Sequence, residues 1–187
     1  MPNEDSPRKA VFFDRDATII EDMEFSVDPA DLRLFPEAVE GMRKLQQAGY
    51  FLVIVTNQSG IARGYYDEAA LQSVNQRLVE MLKEQGVSIE AVYYCPHYRD
   101  GAVEKYAVAC SCRKPEPGML LRAAEECNID LAASWMVGDR PADIGAGRAA
   151  GCKTIRVLTG PPAADGDPQP DAVANNVSEA ADIILSS

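Results

Sequence analysis

The run DRDAT, residues 14–18, sets two carboxylates two positions apart, directly after the apolar stretch AVFF. In apolar surroundings an ionised carboxylate is costly unless a cation or a hydrogen-bond network compensates it. A hard divalent ion with oxygen ligands meets that need for Asp14 and Asp16, and Asp139, at the end of WMVGD, offers a further carboxylate. An Asx turn closing a strand, with Asp16 capping locally, accounts for the same pattern without an ion. TNQSG, residues 56–60, supplies hydroxyl, amide and backbone N–H groups that can cradle a phosphate, or simply form a polar turn. RKP, 113–115, adds two cations: Lys114 is placed to meet an anion, or the two form a solvated pair.

A second chemistry lies in CPHYRDGAVEKYAVACSC, residues 95–112. It holds the only histidine of the chain, His97, and three of its five cysteines, Cys95, Cys110 and Cys112. The spacing is C-x-H, twelve residues, then C-x-C. Two tight pairs of soft or borderline ligands fit a tetrahedral zinc site, whereas ordinary buried thiols and a solvated imidazole would leave the pairing without a reason. Four protein ligands leave no open position, so the expected Zn2+ is structural. It would pin an irregular loop whose far end carries Arg113 and Lys114. A C-x-C thiol redox role is the rival, and His97 beside Cys95 argues for metal. Cys127 and Cys152 stand apart and read as core thiols.

The elements that must position these residues follow from periodicity. Apolar strands are expected at 10–14, 51–56, 91–94, 135–139 and 154–158, with a last short strand at 182–185. Helices are expected at 36–48, from an Asp67 N-cap to about 84, at 117–127 and at 141–150. The alternation implies βαβ units and an α/β fold with a doubly wound, mostly parallel sheet, in which ligands bind at the carboxyl ends of strands. Those ends carry Asp14, Thr56 with Asn57, and Asp139. No insertion is large enough for a separate cap, so the chain is expected to be one domain, 1–187. Segments 20–35, 60–66 and 95–112 would then shape the pocket. Arg63, between Gly60 and Gly64, could swing over a phosphate or remain a solvated loop arginine. The turn-rich stretch 159–171 reads as a flexible linker.

Composition narrows the functions. The chain is 47% hydrophobic and carries a net charge of −11. No Lys/Arg stripe supplies the phosphate contacts that dominate nucleic-acid binding. The N-terminal MPNEDSPRK lacks a signal-peptide apolar region, and no apolar run is long enough to span a bilayer. A cytoplasmic location with reduced thiols is the expectation.

The ordered set DRDAT, TN after an apolar strand, a lysine and then GDRPAD at 138–143 resembles the haloacid dehalogenase phosphatase superfamily. TNQSGIARGYY and YYCPHYRDGAVEKYAVACSCRKPEPGML further resemble the D,D-heptose 1,7-bisphosphate phosphatases of lipopolysaccharide-core or nucleotide-heptose synthesis, from 10 to about 160. The resemblance implies a capless haloacid dehalogenase-like fold with Asp14 as the nucleophile that forms an aspartyl-phosphate. Asp16 would be general acid and base, Thr56 and Asn57 would hold the phosphoryl group, and Lys114 would stabilise its charge. Mg2+ would be held by Asp14, the carbonyl of Asp16 and Asp139. The sugar phosphate would also touch Asp22, Met23, Glu24, Phe25, Gln58, Ser59 and Arg113, with Arg140 where the family often has lysine. The reaction implied is removal of the C7 phosphate of D-glycero-D-manno-heptose 1,7-bisphosphate by a monomer. Histidinol-phosphate phosphatase is the sister activity, and its branch shares the zinc loop and CRKP but lacks the SGIARGY continuation.

One departure is Ala17, where the family signature DxDGT has glycine. It is expected to be tolerated if φ there is negative. Ala17 is also the one feature that favours a non-catalytic sugar-phosphate binding module. A receiver-like signalling domain is excluded by the zinc loop and the second aspartate.

Overall fold

The computed structural model describes residues 6–187; the first five residues of the polar N-terminal run lie outside the described residues. Strands β1 (Ala10–Phe13), β2 (Phe51–Asn57), β3 (Ala91–Cys95), β4 (Trp135–Gly138), β5 (Lys153–Val157) and β6 (Ala172–Ala174) form one sheet in the order β3-β2-β1-β4-β5-β6. Every neighbouring pair is parallel. This is the expected doubly wound α/β sheet, and the order reverses between β1 and β4, where such sheets bind ligands.

The strands are apolar on both sides because helices cover both faces. Val11 and Phe13 of β1 point into one core with Met42 and Leu45 of α1 (Pro36–Gln47), Val74 and Leu78 of α3 (Glu68–Glu84) and Ile184. Ala10 and Phe12 point the other way, into a core with Met119, Leu120 and Ala123 of α4 (Gly118–Cys127) and Ala146 of α5 (Pro141–Ala150). The Asp67 cap of α3 is as expected, its carboxylate accepting from the Ala70 N–H at 2.8 Å. A four-residue helix, α2 (Gly60–Arg63), follows β2. No helix among the described residues is long and apolar enough to cross a membrane.

Two expectations fail. The segment 182–185 is not a strand but the end of helix α6 (Val177–Leu185), and the last strand is β6, which precedes it. The apolar run Ile183–Leu185 suggested a strand when read alone. Val177, Ala180, Ala181 and Ile184 in fact make one buried helical face, opened by an Asn176 cap that accepts from Glu179 N–H at 3.0 Å. Nor is 159–171 a loose linker. Buried Arg156 donates to the Asp167 carboxylate at 3.1 Å and to the Pro161 carbonyl at 3.0 Å. Asp171 accepts from both the N–H and the hydroxyl of Thr154.

Helix α6 lies directly on α1, and the approach is set by Gly41, in the middle of α1. A Cβ there would sit 2.4 Å from the Val177 carbonyl oxygen. A mid-helix Gly→Ala ordinarily stabilises by about 1 kcal/mol. Here the sign reverses, because backbone must move: Gly41→Ala is expected to destabilise by about 1–3 kcal/mol in urea unfolding. An unchanged or increased midpoint would refute the close α1–α6 packing.

Candidate active site

The site grows from the ends of β1 and β4. β1 delivers Asp14, and β4 delivers Asp139 across the parallel pairing of Phe13 with Val137. The Asp14 N–H donates to the Val137 carbonyl at 3.0 Å, extending the ladder to the carboxylate itself. The first turn of α5 adds Asp143, one oxygen of which accepts the Arg140 N–H at 2.9 Å. Ligand atoms of Asp14, Asp139 and Asp143 all lie within 4.8 Å of one another, and all three residues are buried.

One cation answers them directly. Lys114 Nζ lies 2.7 Å from Asp14 Oδ1 and 2.6 Å from Asp143 Oδ1, and donates its third bond to the Val55 carbonyl at 2.7 Å. Burial works against the ammonium, but the two carboxylates outweigh it and hold the Lys114 pKa above its ordinary value. Its backbone is fixed as well. Asn57 donates through Nδ2 to the Lys114 carbonyl at 3.0 Å and accepts the Lys114 N–H through Oδ1 at 3.1 Å. Asn57, expected on the phosphoryl group, thus places Lys114 through its oxygen and one N–H while it also lines the cavity.

Three carboxylates and one buried ammonium leave an excess of two negative charges when all are ionised, and the exposed Arg140 meets it only from 3.6 Å, at Asp139 Oδ2. Burial raises the Asp14 pKa well above the usual carboxylate range against the pull of Lys114, with Asp143 and Asp139 adding to the rise. Burial and the neighbouring Asp143 push Asp139 up to about 6. Thr18 donates to Asp139 Oδ1 at 3.2 Å, while Asp139 Oδ2 is buried with no hydrogen-bond partner. An orphaned carboxylate oxygen beside an excess of two negative charges is the coordination demand of a divalent, oxygen-seeking cation, and the residues present fit one.

Asp16 is held differently. Arg15 donates to both its oxygens, through Nε at 3.1 Å and Nη2 at 3.0 Å, and is itself braced by Asn75 Oδ1 at 3.0 Å. Gln58 Nε2 donates to Asp16 Oδ2 at 3.1 Å and to the Thr56 hydroxyl at 2.9 Å, while Tyr66 donates to Gln58 Oε1 at 2.6 Å. Gln58, expected as a substrate contact, is buried and orients Asp16.

Ala17 sits at φ +56, in the left-handed region. The expectation of a tolerated alanine with negative φ is corrected: its Cβ costs roughly 1 kcal/mol that glycine would not. The Thr159 hydroxyl donates to the Ala17 carbonyl and pins that turn. The next residue, Gly160, abuts Asp139 so closely that a Cβ would lie 2.0 Å from Oδ2.

Asp14, Arg15, Asp16, Thr56, Lys114 and Asp143 floor a cavity of about 690 Å³, lined also by Asp22, Glu24, Phe25, Ser59, Arg113 and Arg140. Two expected contacts are displaced. Met23 is buried in the apolar core, since its thioether turns inward where the side chains on either side face the cavity. Arg63 lies over the Tyr98 ring at 4.1 Å and does not line the cavity. Of segment 60–66 only Tyr66 lines it, and segment 95–112 reaches it only through the following Arg113. Arg140 pairs with Asp22 at 3.4 Å across the rim.

Arg15, Asp143, Thr18, Tyr66, Asn75 and Thr159 were not singled out from sequence. Asp143 had a signal, as the last residue of GDRPAD; Asn75 and Thr159 act through contacts 60 and 142 positions away and had none.

The second ligand cluster is also assembled. Cys95 Sγ lies 3.6 Å from both His97 Nδ1 and Cys110 Sγ, and His97 Nδ1 lies 3.3 Å from Cys112 Sγ. Cys95 and Cys112 sulfurs are 3.1 Å apart, well beyond a disulfide bond, and all the cysteines are free. Ligands about 2.0–2.3 Å from a common tetrahedral centre would be separated by roughly these distances.

Comparison with known proteins agrees with this geometry. A family model described as HAD-hydrolase-like matches residues 111–180. D-glycero-beta-D-manno-heptose-1,7-bisphosphate 7-phosphatase of Yersinia pestis is 41% identical over 172 residues, 91% of this chain and 92% of that protein. The Escherichia coli K12 protein of the same name is 42% identical over 154 residues, 82% of this chain and 81% of that protein. The crystal structure of D,D-heptose 1,7-bisphosphate phosphatase from B. bronchiseptica, complexed with magnesium and phosphate, is 30% identical. It superposes with a TM-score of 0.79, covering 95% of this chain and 98% of that one.

The unpartnered oxygen of Asp139 generates a prediction. In EDTA, Asp139→Asn is expected to stabilise the fold by on the order of 1–2 kcal/mol, because a buried charge is removed that the exposed Arg140 compensates only in part, from 3.6 Å. Millimolar Mg2+ should raise the melting temperature of the wild type and not that of the variant. A wild-type protein indifferent to Mg2+ would contradict this reading of the cluster.

Proposed function

The chain belongs to the D-glycero-beta-D-manno-heptose-1,7-bisphosphate 7-phosphatase family, and from that premise we propose that it hydrolyses the C7 phosphate of the beta heptose bisphosphate through an aspartyl-phosphate on Asp14. The observation that carries the reading is the buried Asp14, bonded to Lys114 and facing the cavity beside Asp16.

An Asp14 carboxylate oxygen attacks phosphorus as the P–O bond to C7 breaks, and the Asp16 carboxyl gives its proton to the departing C7 oxygen. Asp16, now a carboxylate, takes a proton from water, whose oxygen attacks the phosphorus of the acyl phosphate. The bond to Asp14 breaks, inorganic phosphate leaves, and both carboxyl groups are restored. Splitting one displacement into two keeps each step in line with a positioned nucleophile. Lys114 supports the charge on the phosphoryl oxygens, with Thr56 and Ser59 beside them. Arg15 and Gln58 fix the direction in which Asp16 delivers its proton. Mg2+ fits Asp14, Asp139 and the Asp16 carbonyl, where it supplies charge neutralisation and phosphate orientation. Asp143 has both oxygens engaged, with Lys114 and the Arg140 N–H, and serves from behind.

Cys95, His97, Cys110 and Cys112 hold one structural Zn2+, which fixes the loop leading to Arg113. Reduced thiols of this kind suit the cytoplasm. One domain, acting as a monomer, carries all of these groups; the substrate is a small sugar phosphate, and neither nucleic acid nor membrane is a partner.

Phosphate release from the beta and alpha heptose 1,7-bisphosphates and from histidinol phosphate tests the function. Mg2+-dependent turnover of the beta anomer is expected to dominate, and Asp14→Asn should lower kcat by at least about a thousandfold. Preference for histidinol phosphate would move the protein to the sister activity, and turnover of none would favour a binding module. For the zinc loop, elemental analysis should find one zinc per chain. Cys110→Ser should lose it while keeping the sheet, read as unchanged far-ultraviolet circular dichroism, and should raise KM more than it lowers kcat. Equal metal content in wild type and variant would refute the site.

A further inference from the structure

Four cations line the cavity, and three are already matched. Arg15 is paired with Asp16, Lys114 with Asp14 and Asp143, and Arg140 with Asp22 and Asp139. Arg113 has no carboxylate partner among the described residues. Its Nη1 donates to the His97 carbonyl at 3.2 Å, and its guanidinium lies over the Tyr98 ring, 5.3 Å from the centroid. In a protein of net charge −11, an arginine at the cavity wall left without an acidic partner is held for an anion that arrives with the substrate.

The same ring carries a second cation. Arg63, also without a carboxylate, lies 4.1 Å from the Tyr98 centroid. Arg63 is in turn 5.9 Å from the ring of Phe25, and Phe25 meets Tyr65 edge to face at 5.1 Å. An alternating column of rings and guanidiniums thus joins the three loops around the cavity mouth. Phe25 stands half-exposed at its end, on a backbone held at φ +72. Two guanidiniums sharing one ring repel each other, and the ring face compensates only in part. The arrangement concentrates positive potential beside Arg113 and restrains a side chain that otherwise has much rotamer freedom to lose on binding.

We propose that Tyr98 is a positioning residue for the substrate's second, non-reacting phosphate: its ring braces Arg113, with Arg63 stacked on it, so that Arg113 meets that phosphate in a preset orientation. The proposal rests on the bisphosphate reading above. Tyr98 need not touch the substrate. Its hydroxyl makes no hydrogen bond among the described residues, so the ring face, not the phenol, is the functional part.

The test is steady-state kinetics of wild type, Tyr98→Phe and Tyr98→Leu on the heptose 1,7-bisphosphate and on the corresponding 7-monophosphate. Tyr98→Leu should raise KM for the bisphosphate about fivefold to twentyfold with kcat within twofold, and leave the monophosphate constants within twofold. Tyr98→Phe, which keeps the ring, should match wild type on both. Equal losses on the two substrates would mark Tyr98 as merely structural and overturn the proposal, as would a Tyr98→Leu enzyme that keeps the full bisphosphate preference. Zinc content and melting temperature are measured alongside. If Tyr98→Leu loses either, Tyr98→Met replaces it under the same criteria. A wild-type enzyme with no preference for the bisphosphate would sink the proposed function together with this inference, whereas a wild-type preference indifferent to Tyr98→Leu sinks this inference alone.

Discussion

The structure depends on an imbalance of buried charge. Asp14, Asp139 and Asp143 converge at the carboxyl ends of β1 and β4, and among the described residues Lys114 is the one buried cation paired with them, Arg140 reaching Asp139 from the exposed side. Burial that would ordinarily expel such groups or keep them protonated is sustained by the backbone that delivers them. β1 and β4 are adjacent central strands, so neither Asp14 nor Asp139 can withdraw without breaking the ladder on both sides. The like charges crowded here cost stability, and that cost is concentrated at the one place where three buried carboxylates meet.

Much of the surrounding structure keeps that imbalance in place. Lys114 comes from a loop distant from both strands in sequence, and Asn57 grips its backbone at both the N–H and the carbonyl. The cluster of Cys95, His97, Cys110 and Cys112 lies just upstream on the same loop, ending two residues before Lys114. On the other flank Thr159 holds the Ala17 carbonyl while Gly160 presses on Asp139. The residues after β5 are thereby part of the site's frame, even though none of them lines the cavity. Ala17 shows what such framing permits: a left-handed turn remains in place although its residue lacks glycine's freedom there.

The parts legible in the sequence were those with a short repeat length. Strands with continuous apolar runs, the Asp67 cap and the paired C-x-H and C-x-C ligands each declare themselves within a few residues. The acids at the strand ends were legible as candidates for the same reason, although an Asx turn accounts for DRDAT equally well until Asp139 and Lys114 are seen beside Asp14. What was illegible depends on tertiary distance. Asn75 stands among the apolar positions of its helix, on the buried face, but nothing local names it as the brace of Arg15 or assigns Asn57 to a lysine backbone 57 positions away. Helix α6 was misread because its apolar positions, from Val177 to Ile184, make a face only when the window is widened past the IIL run. Met23 was misassigned because a contact segment was treated as a unit, whereas alternate residues of a loop can face opposite ways.

The strong net negative charge is compatible with a pocket rich in cations once charges are counted locally. Arg15, Lys114 and Arg140 are each neutralised by acids that also orient them, and so they present direction more than free charge. Arg113 differs in being held by a carbonyl and an aromatic face, neither of which cancels its charge. The pocket therefore holds two kinds of charge. At its floor, Lys114 and the carboxylates it bonds fix one another's positions. At its wall, Arg113 keeps a charge that no carboxylate among the described residues matches. Matched and unmatched cations are chain neighbours: Lys114, bonded to Asp14 and Asp143, follows Arg113 directly, so one loop sets the position of both.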